Sequence, residues 1–243
     1  MSKKNPVRLF AYTSLETGGV YVPNEAQTHY LKDVMRMELH NSVFLFDGKN
    51  GEFESHICEI SKKSLTLKVD RKISDFQKSP DIWLLFAPLK KENTDIVVQK
   101  AVELGVSKII PVQTEYTTNT NIKIERIRAQ TVEAAEQCRR QDIPTVENLI
   151  SFHDLLKNWP EKRKLVYLNE TGDGRSFQSM SSEMKEPVAF LIGPEGGFAK
   201  KELEILKSLP YTVNITLGKR ILRAETATIA AISCWQAFCG DWK

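Results

Sequence analysis

The sequence lacks any run of about eighteen apolar residues, so no segment reads as a membrane-spanning helix. Its N-terminus, Met-Ser-Lys-Lys-Asn-Pro-Val-Arg, has no apolar stretch of the kind that makes a secretory signal. These two absences make a cytoplasmic protein the expectation. Cysteine is scarce. Cys58, Cys138, Cys234 and Cys239 form no Cys-x-x-Cys pair, and His29, His40, His56 and His153 are scattered. A structural zinc site needs four ligands in tight spacings, so no metal is expected. The thiols read as buried or free groups in a reducing compartment. No internal repeat, no low-complexity tract and no large charge excess is present. The net charge of +3 permits a nucleic-acid partner without requiring one. What remains is a 243-residue chain, 41% hydrophobic and 27% charged, enough for one large or two small globular domains.

Residues 1–73 read mostly as strands. Short β-rich runs lie at 7–10, 19–22 and 43–46, the last ending at Asp47-Gly48. Residues 52–60 and 64–69 alternate polar and apolar around Ser61-Lys-Lys63, which suggests an antiparallel sheet or small barrel. One helix interrupts it, with Asn24 as its cap and Ala26, Tyr30, Val34 and Met37 sharing a face. Ser74-Asp-Phe-Gln-Lys-Ser-Pro80 has no periodicity and reads as a linker (74–80). The pattern then changes for residues 81–243. Strands at 81–87, 109–112, 165–168, 188–192 and 213–217 alternate with helices, one from Asn93 or Thr94 through Leu104 and another from about Ile124 to Arg140. That alternation predicts an α/β domain with a mainly parallel sheet. The last helix, from Thr226 to about Phe238, is apolar nearly all round and predicts burial on most sides, with a second subunit as one covering surface.

Ligands of open α/β sheets bind at the carboxyl ends of strands. Three such ends carry unusual loops here. Leu191-Ile-Gly-Pro-Glu-Gly-Gly197 stops an apolar run with three glycines and a proline. It is neither a Walker loop nor a dinucleotide fingerprint, because both glycine spacings are missing. Glu195 disfavours a phosphate, whereas glycines let main-chain groups approach a purine edge and ribose. Loop composition alone leaves a simple tight turn open as the alternative. The second loop, Thr216-Leu-Gly-Lys-Arg-Ile-Leu-Arg-Ala-Glu-Thr226, places Arg223 and Glu225 directly before the apolar helix. Charges beside buried surface are costly unless paired, so either Glu225 or an anionic group is expected to hold Arg223. The third end supplies Asn169 and Glu170. Basic pairs recur along the chain, among them Lys62-Lys63, Arg71-Lys72, Lys90-Lys91, Arg139-Arg140, Lys200-Lys201 and Lys219-Arg220. Each alone reads as a solvated face, and only their convergence on one surface would mark a nucleic-acid site.

The two glycine-bearing loops resemble the signature loops of the SPOUT methyltransferases, and within them the RsmE family of small-subunit ribosomal RNA uridine-N3 methyltransferases. Gln99-Lys-Ala-Val-Glu-Leu-Gly105, Ala134-Ala-Glu-Gln-Cys138, His29-Tyr-Leu-Lys-Asp-Val-Met-Arg36 and Phe46-Asp-Gly48 are similar to further motifs of that family. The resemblance implies a trefoil-knotted α/β domain preceded by a small PUA-like β-barrel that binds RNA, acting as a homodimer. It implies S-adenosylmethionine as cofactor and 16S rRNA of the small ribosomal subunit as substrate, methylated at N3 of a decoding-region uridine, position 1498. Carried over, the cofactor pocket comprises Leu168, Asn169, Glu170, Ile192, Gly193, Gly196, Leu217, Gly218, Ile221 and Leu222. Arg223 lies beside the methyl group and target base, with Glu225 or Glu195 as candidate base. Arg8, Arg36, Lys90, Lys91, Arg139 and Arg140 are the RNA-binding candidates.

Two positions depart from the family's pattern. Thr114-Glu115-Tyr116 stands where Ser-Glu-Arg is frequent, and Arg139 stands where glycine is common. Tyr116 in place of arginine can stack on a base. Three alternatives stay open: a ribose 2′-O methyltransferase of the same class, a non-catalytic RNA-binding module, and an ATP-binding α/β protein. The missing phosphate loop disfavours the last.

Overall fold

A computed structural model describes residues 7–169, 172–180, 184–185 and 187–242. The chain divides into two units: Met1–Lys78 with Ala135–Ile143, and Ser79–Ala134 with Pro144–Lys243.

The first unit is built on β1 (Val7–Phe10), β2 (Val20–Tyr21), β3 (Ser42–Phe46), β4 (Glu52–Ile60) and β5 (Leu65–Ser74), ordered β1-β3-β4-β5-β2. Period-two alternation sends Val43, Leu45, Phe53, Ile57, Leu65, Leu67 and Val69 into one core. The sheet is mixed rather than antiparallel. β1 pairs with β3 in parallel because the two are joined by the long connection carrying β2 and a helix, not by a hairpin. That helix, α1 (Glu25–His29), is capped by Asn24, whose Oδ1 accepts the Gln27 N–H at 2.9 Å. It runs straight into a π-helical turn, Tyr30–Val34. The wider turn takes the side chains off the 3.6-residue period. Ala26 and Val34 are exposed, while Tyr30 and Met37 pack on the core as expected beside the buried Gln27, Thr28 and Leu31. Gln27 is held inward by the Tyr21 hydroxyl and by the Phe10 carbonyl that accepts from its Nε2, both at 2.7 Å.

Residues 74–78 are tied within this unit. Ser74 is the last residue of β5, Gln141 Nε2 donates to Ser74 Oγ at 2.6 Å, and the Gln77 N–H donates to Gln141 Oε1 at 2.8 Å. The segment read as a linker thus begins inside a strand and is partly anchored.

The second unit is a parallel α/β sheet. Its strands are β6 (Ile82–Phe86), β7 (Lys108–Gln113), β8 (Thr145–Val146), β9 (Ile150–Ser151), β10 (Lys164–Leu168), β11 (Arg175–Ser176), β12 (Val188–Ile192) and β13 (Thr212–Thr216). They run in the order β11-β13-β10-β12-β6-β7-β8, with β9 also on β7, and every pairing is parallel. All five residues of β12 are buried, as an apolar strand covered on both faces must be. The helices are α2 (Lys91–Glu103), α3 (Ile124–Cys138), α4 (Phe152–Lys157), α5 (Phe177–Met180), α6 (Lys200–Ser208) and α7 (Ala224–Phe238). None of them is long and apolar enough to cross a membrane.

Several boundaries differ from expectation for local reasons. α2 starts at Lys91, because the Thr94 hydroxyl turns back to the main chain of Leu89 rather than capping. α3 stops at Cys138, since Arg139 adopts a left-handed φ of 63°. α7 begins at Ala224 and buries Ala224, Thr228, Ala231, Ile232, Trp235 and Gln236, whereas Phe238 stays 45% exposed.

Candidate active site

β13, β10 and β12 are neighbours in the sheet, so Thr216, Leu168 and Ile192 end side by side. The loops leaving these ends surround a cavity of about 660 Å³, within the range of small-molecule sites.

The first wall is the glycine loop between β12 and α6. The Ala87 N–H donates to the Ile192 carbonyl at 3.0 Å, and the chain turns immediately after. Gly193 is required by packing: a Cβ there would lie 3.1 Å from the Phe198 ring. The turn closes through the Gly197 N–H on the Pro194 carbonyl at 2.9 Å, with Gly197 at φ 70°. Gly193, Pro194, Glu195, Gly197 and Phe198 line the cavity. Gly196 does not; it backs onto Tyr116, whose Cβ would be 3.4 Å from a Cβ at Gly196.

Glu202, only 3% exposed, fastens this wall. Its Oε2 accepts the Ala199 N–H and its Oε1 the Glu115 N–H, each at 2.9 Å. The carboxylate thereby satisfies an orphan donor at the start of α6 and fixes the turn that follows β7. That turn is closed further by Thr117 Oγ1, which accepts the Thr114 N–H at 2.9 Å, and by the Thr117 N–H on the Thr114 carbonyl. Lys201 pairs with Glu115 at 2.8 Å, and this hydrogen bond and charge raise the Lys201 ammonium above its ordinary value.

The second wall is the loop from Leu217 to Arg223. Thr216 Oγ1 accepts the Gly218 N–H at 3.2 Å, and Gly218 sits at φ 103° with no atom near its missing Cβ. Ile221 is 80% exposed beside the cavity. Arg223 is the extended N-cap residue of α7, and its carbonyl accepts the Ala227 N–H at 2.8 Å. Of the two expected partners of Arg223, Glu225 does not hold it. The side chain is exposed, lines the cavity and has no partner among the described residues, so solvation removes the need for one. Glu225 is half-buried, does not line the cavity, and carries a buried Oε2 with no hydrogen-bond partner.

The third wall follows β10. Asn169 Nδ2 donates to Asp173 Oδ1 at 3.1 Å, and Asp173 also accepts from Asn214 and Lys207. Leu168, Asn169 and Gly172 line the cavity, while Glu170 lies outside the described residues.

The structure thus brings Leu168, Asn169, Ile192, Gly193, Glu195, Leu217, Gly218, Ile221, Leu222 and Arg223 around one space, and leaves Gly196 and Glu225 off its wall. It also brings Lys200, Lys219 and Arg220 there, so the Lys219-Arg220 pair and one member of the Lys200-Lys201 pair converge with Arg223 on one rim. Of the six RNA-binding candidates, Arg36, Lys90, Lys91 and Arg139 are exposed. Arg8 and Arg140 are corrected: both are committed internally. Arg8 is 8% exposed, bonds Glu52 and the carbonyls of Ala135 and Arg140, and lies over the Phe46 ring. Arg140 forks onto both carboxylate oxygens of Asp142, at 2.8 and 3.0 Å. Glu202 escaped the sequence reading because its usual signature, a hydroxyl residue three positions earlier, is replaced by Ala199.

Chemically the cavity offers an apolar floor, main-chain edges freed by glycine, one carboxylate at Glu195 and a cationic rim. Among the described residues no group of three or more His, Cys, Asp or Glu side chains could hold a metal ion.

Comparison with known proteins agrees with this architecture. Residues 77–236 match the model of an RNA methyltransferase domain, and residues 23–70 that of an RNA methyltransferase PUA domain. The ribosomal RNA small subunit methyltransferase E of Rickettsia conorii is 33% identical over 220 residues, covering 90% of this chain and 89% of that protein. A putative methyltransferase from Legionella pneumophila, solved with bound S-adenosylmethionine, is 28% identical with a TM-score of 0.89, covering 98% of this chain and 100% of that one. The ribosomal RNA small subunit methyltransferase E of Neisseria gonorrhoeae, also bound to S-adenosylmethionine, is 25% identical with a TM-score of 0.88 and the same coverage. A match across more than half the chain, joined to this relative in Rickettsia, means that the chain belongs to the ribosomal RNA small subunit methyltransferase E family.

Proposed function

We propose that this protein transfers a methyl group from S-adenosylmethionine to N3 of a specific uridine in the 16S rRNA of the small ribosomal subunit. The observation that carries the reading is the cavity at three adjacent strand ends, glycine-walled and partly apolar, with the exposed Arg223 among its lining residues. A purine and ribose fit such main-chain edges, and the absence of a phosphate loop argues against a triphosphate. The trefoil knot and the homodimer implied by the family resemblance belong to this proposal.

When bound, S-adenosylmethionine supplies the methyl group that N3 of the uridine takes. Leu168, Asn169, Ile192, Gly193, Leu217, Gly218, Ile221 and Leu222 hold and orient it, which lowers the entropic part of the barrier. Uridine N3 must lose its proton as the N–C bond forms, and negative charge builds on O2 and O4. Arg223 stabilises that charge; it has no ion pair among the described residues, which leaves the guanidinium available. Glu195, on the cavity wall, is the better placed acceptor for the proton; Glu225 would have to act from behind the wall. Lys200, Lys219 and Arg220 attract the RNA backbone, so subunit binding weakens steeply with salt.

The test is methyl transfer from radiolabelled S-adenosylmethionine to small subunits isolated from cells lacking the modification, with the nucleoside identified by mass spectrometry. Labelled 3-methyluridine is the expected product. A ribose-methylated nucleoside would overturn the atom assigned, and the absence of transfer would overturn the activity.

A further inference from the structure

Tyr116 is an aromatic side chain on an anchored turn, and the fold leaves it 49% exposed. The large aromatics that serve the core look different: Trp235 and Tyr167 are each 1% exposed. Its hydroxyl has no partner among the described residues, so no internal hydrogen bond explains its placement. The turn carrying it is nevertheless fastened by the Thr114–Thr117 hydrogen bonds, by the Lys201–Glu115 pair and by the buried Glu202 carboxylate. A buried carboxylate is costly, and here it is spent on aligning two main-chain N–H groups, one beside Tyr116 and one at the end of the glycine loop.

The stem of Tyr116 packs on Gly196, in van der Waals range of where a Cβ would stand. Gly196 is the residue of the glycine run that does not line the cavity. The ring therefore lies against the outer side of the cavity wall, not in the space for the cofactor. A flat, half-exposed ring on an anchored turn, beside a wall that carries cations, has the chemistry of a stacking platform for an unpaired base.

From this geometry we infer that Tyr116 is a substrate-positioning residue, whose ring stacks on an unstacked base of the RNA as the target uridine enters the cavity. The inference rests on the RNA methyltransferase reading and adds to it the group that holds the strand beside the reaction centre. Stacking requires a π-face but no hydroxyl.

The test compares Tyr116→Ala, Tyr116→Leu and Tyr116→Phe in the full chain. Three quantities are read: the Kd for S-adenosylmethionine by calorimetry, the Kd for unmodified small subunits by filter binding, and KM and kcat for methyl transfer. Tyr116→Ala and Tyr116→Leu should both raise the subunit Kd and KM by roughly tenfold or more, with S-adenosylmethionine Kd within about twofold of the parent. Tyr116→Phe should match the parent. Leucine keeps the packing on Gly196, so a folding defect in the alanine variant is separated from loss of the ring face. A leucine variant with parental subunit Kd, or one whose affinity for S-adenosylmethionine falls in step, would overturn the inference. Parent protein that binds subunits but transfers no methyl group would end the enzymatic reading alone, because the subunit Kd values still decide the role of Tyr116.

Discussion

Two walls of one cavity are built in opposite ways. The glycine loop after β12 is cross-braced: Glu202 spans from α6 to the turn after β7, and Gly193 is pressed against Phe198. The loop from Leu217 to Arg223 is braced by one hydroxyl, Thr216 Oγ1, and exposes Ile221, Arg220 and Arg223. The lesson is a division of labour. A braced wall presents main-chain edges at a fixed position, which orientation requires. An open wall can close over a ligand and present a cation to developing charge.

Substitutions can sharpen or break that contrast. The largest effect is expected at Arg223 in the open wall. Arg223→Ala should lower kcat about 100-fold or more, with melting temperature and S-adenosylmethionine Kd close to the parent, because the guanidinium has no partner to lose among the described residues. Near-normal turnover in steady-state assays would remove Arg223 from the mechanism. Next comes Glu202 in the braced wall. Glu202→Ala strands the buried Ala199 N–H at about 1–3 kcal/mol and also releases the partly buried Glu115 N–H, so calorimetry should show the melting temperature falling by roughly 5 °C. The smallest effect belongs to Gly218→Ala. It places a side chain at φ 103° but meets no neighbour, so about 1 kcal/mol of backbone strain can relax through the loose loop. Its expected signature is a few-fold weaker S-adenosylmethionine binding with the melting temperature lowered by at most about 2 °C. A fall equal to that of Glu202→Ala would show the two walls to be equally braced.

Much of this was legible from residues alone. The apolar run of β12 announced a strand, and its glycine stop announced a loop at the ligand end of the sheet. Other elements were hidden for specific reasons. The face of the first helix was legible in part: Tyr30 and Met37 pack on the core as expected, whereas the exposure of Val34 was hidden because a π-turn leaves no mark in a 3.6-residue pattern. Arg8 and Arg140 read as surface cations, since a basic residue looks the same in sequence whether solvated or bonded to a distant carbonyl. The end of α3 at Arg139 was hidden by the arginine itself, which occupies a left-handed position where glycine would have signalled the stop.

The residues on their own determined the character of each segment: strand, glycine turn or apolar helix. Steric limits and hydrophobic period act over a few neighbours and are therefore written locally. The tertiary structure alone decided which segments meet. It set β10 between β13 and β12, brought Lys200, Lys219, Arg220 and Arg223 to one rim, and drew Glu202 against Glu115. Those choices depend on sheet order and on the burial of particular donors and acceptors, which are long-range in the chain, so no window of sequence contains them.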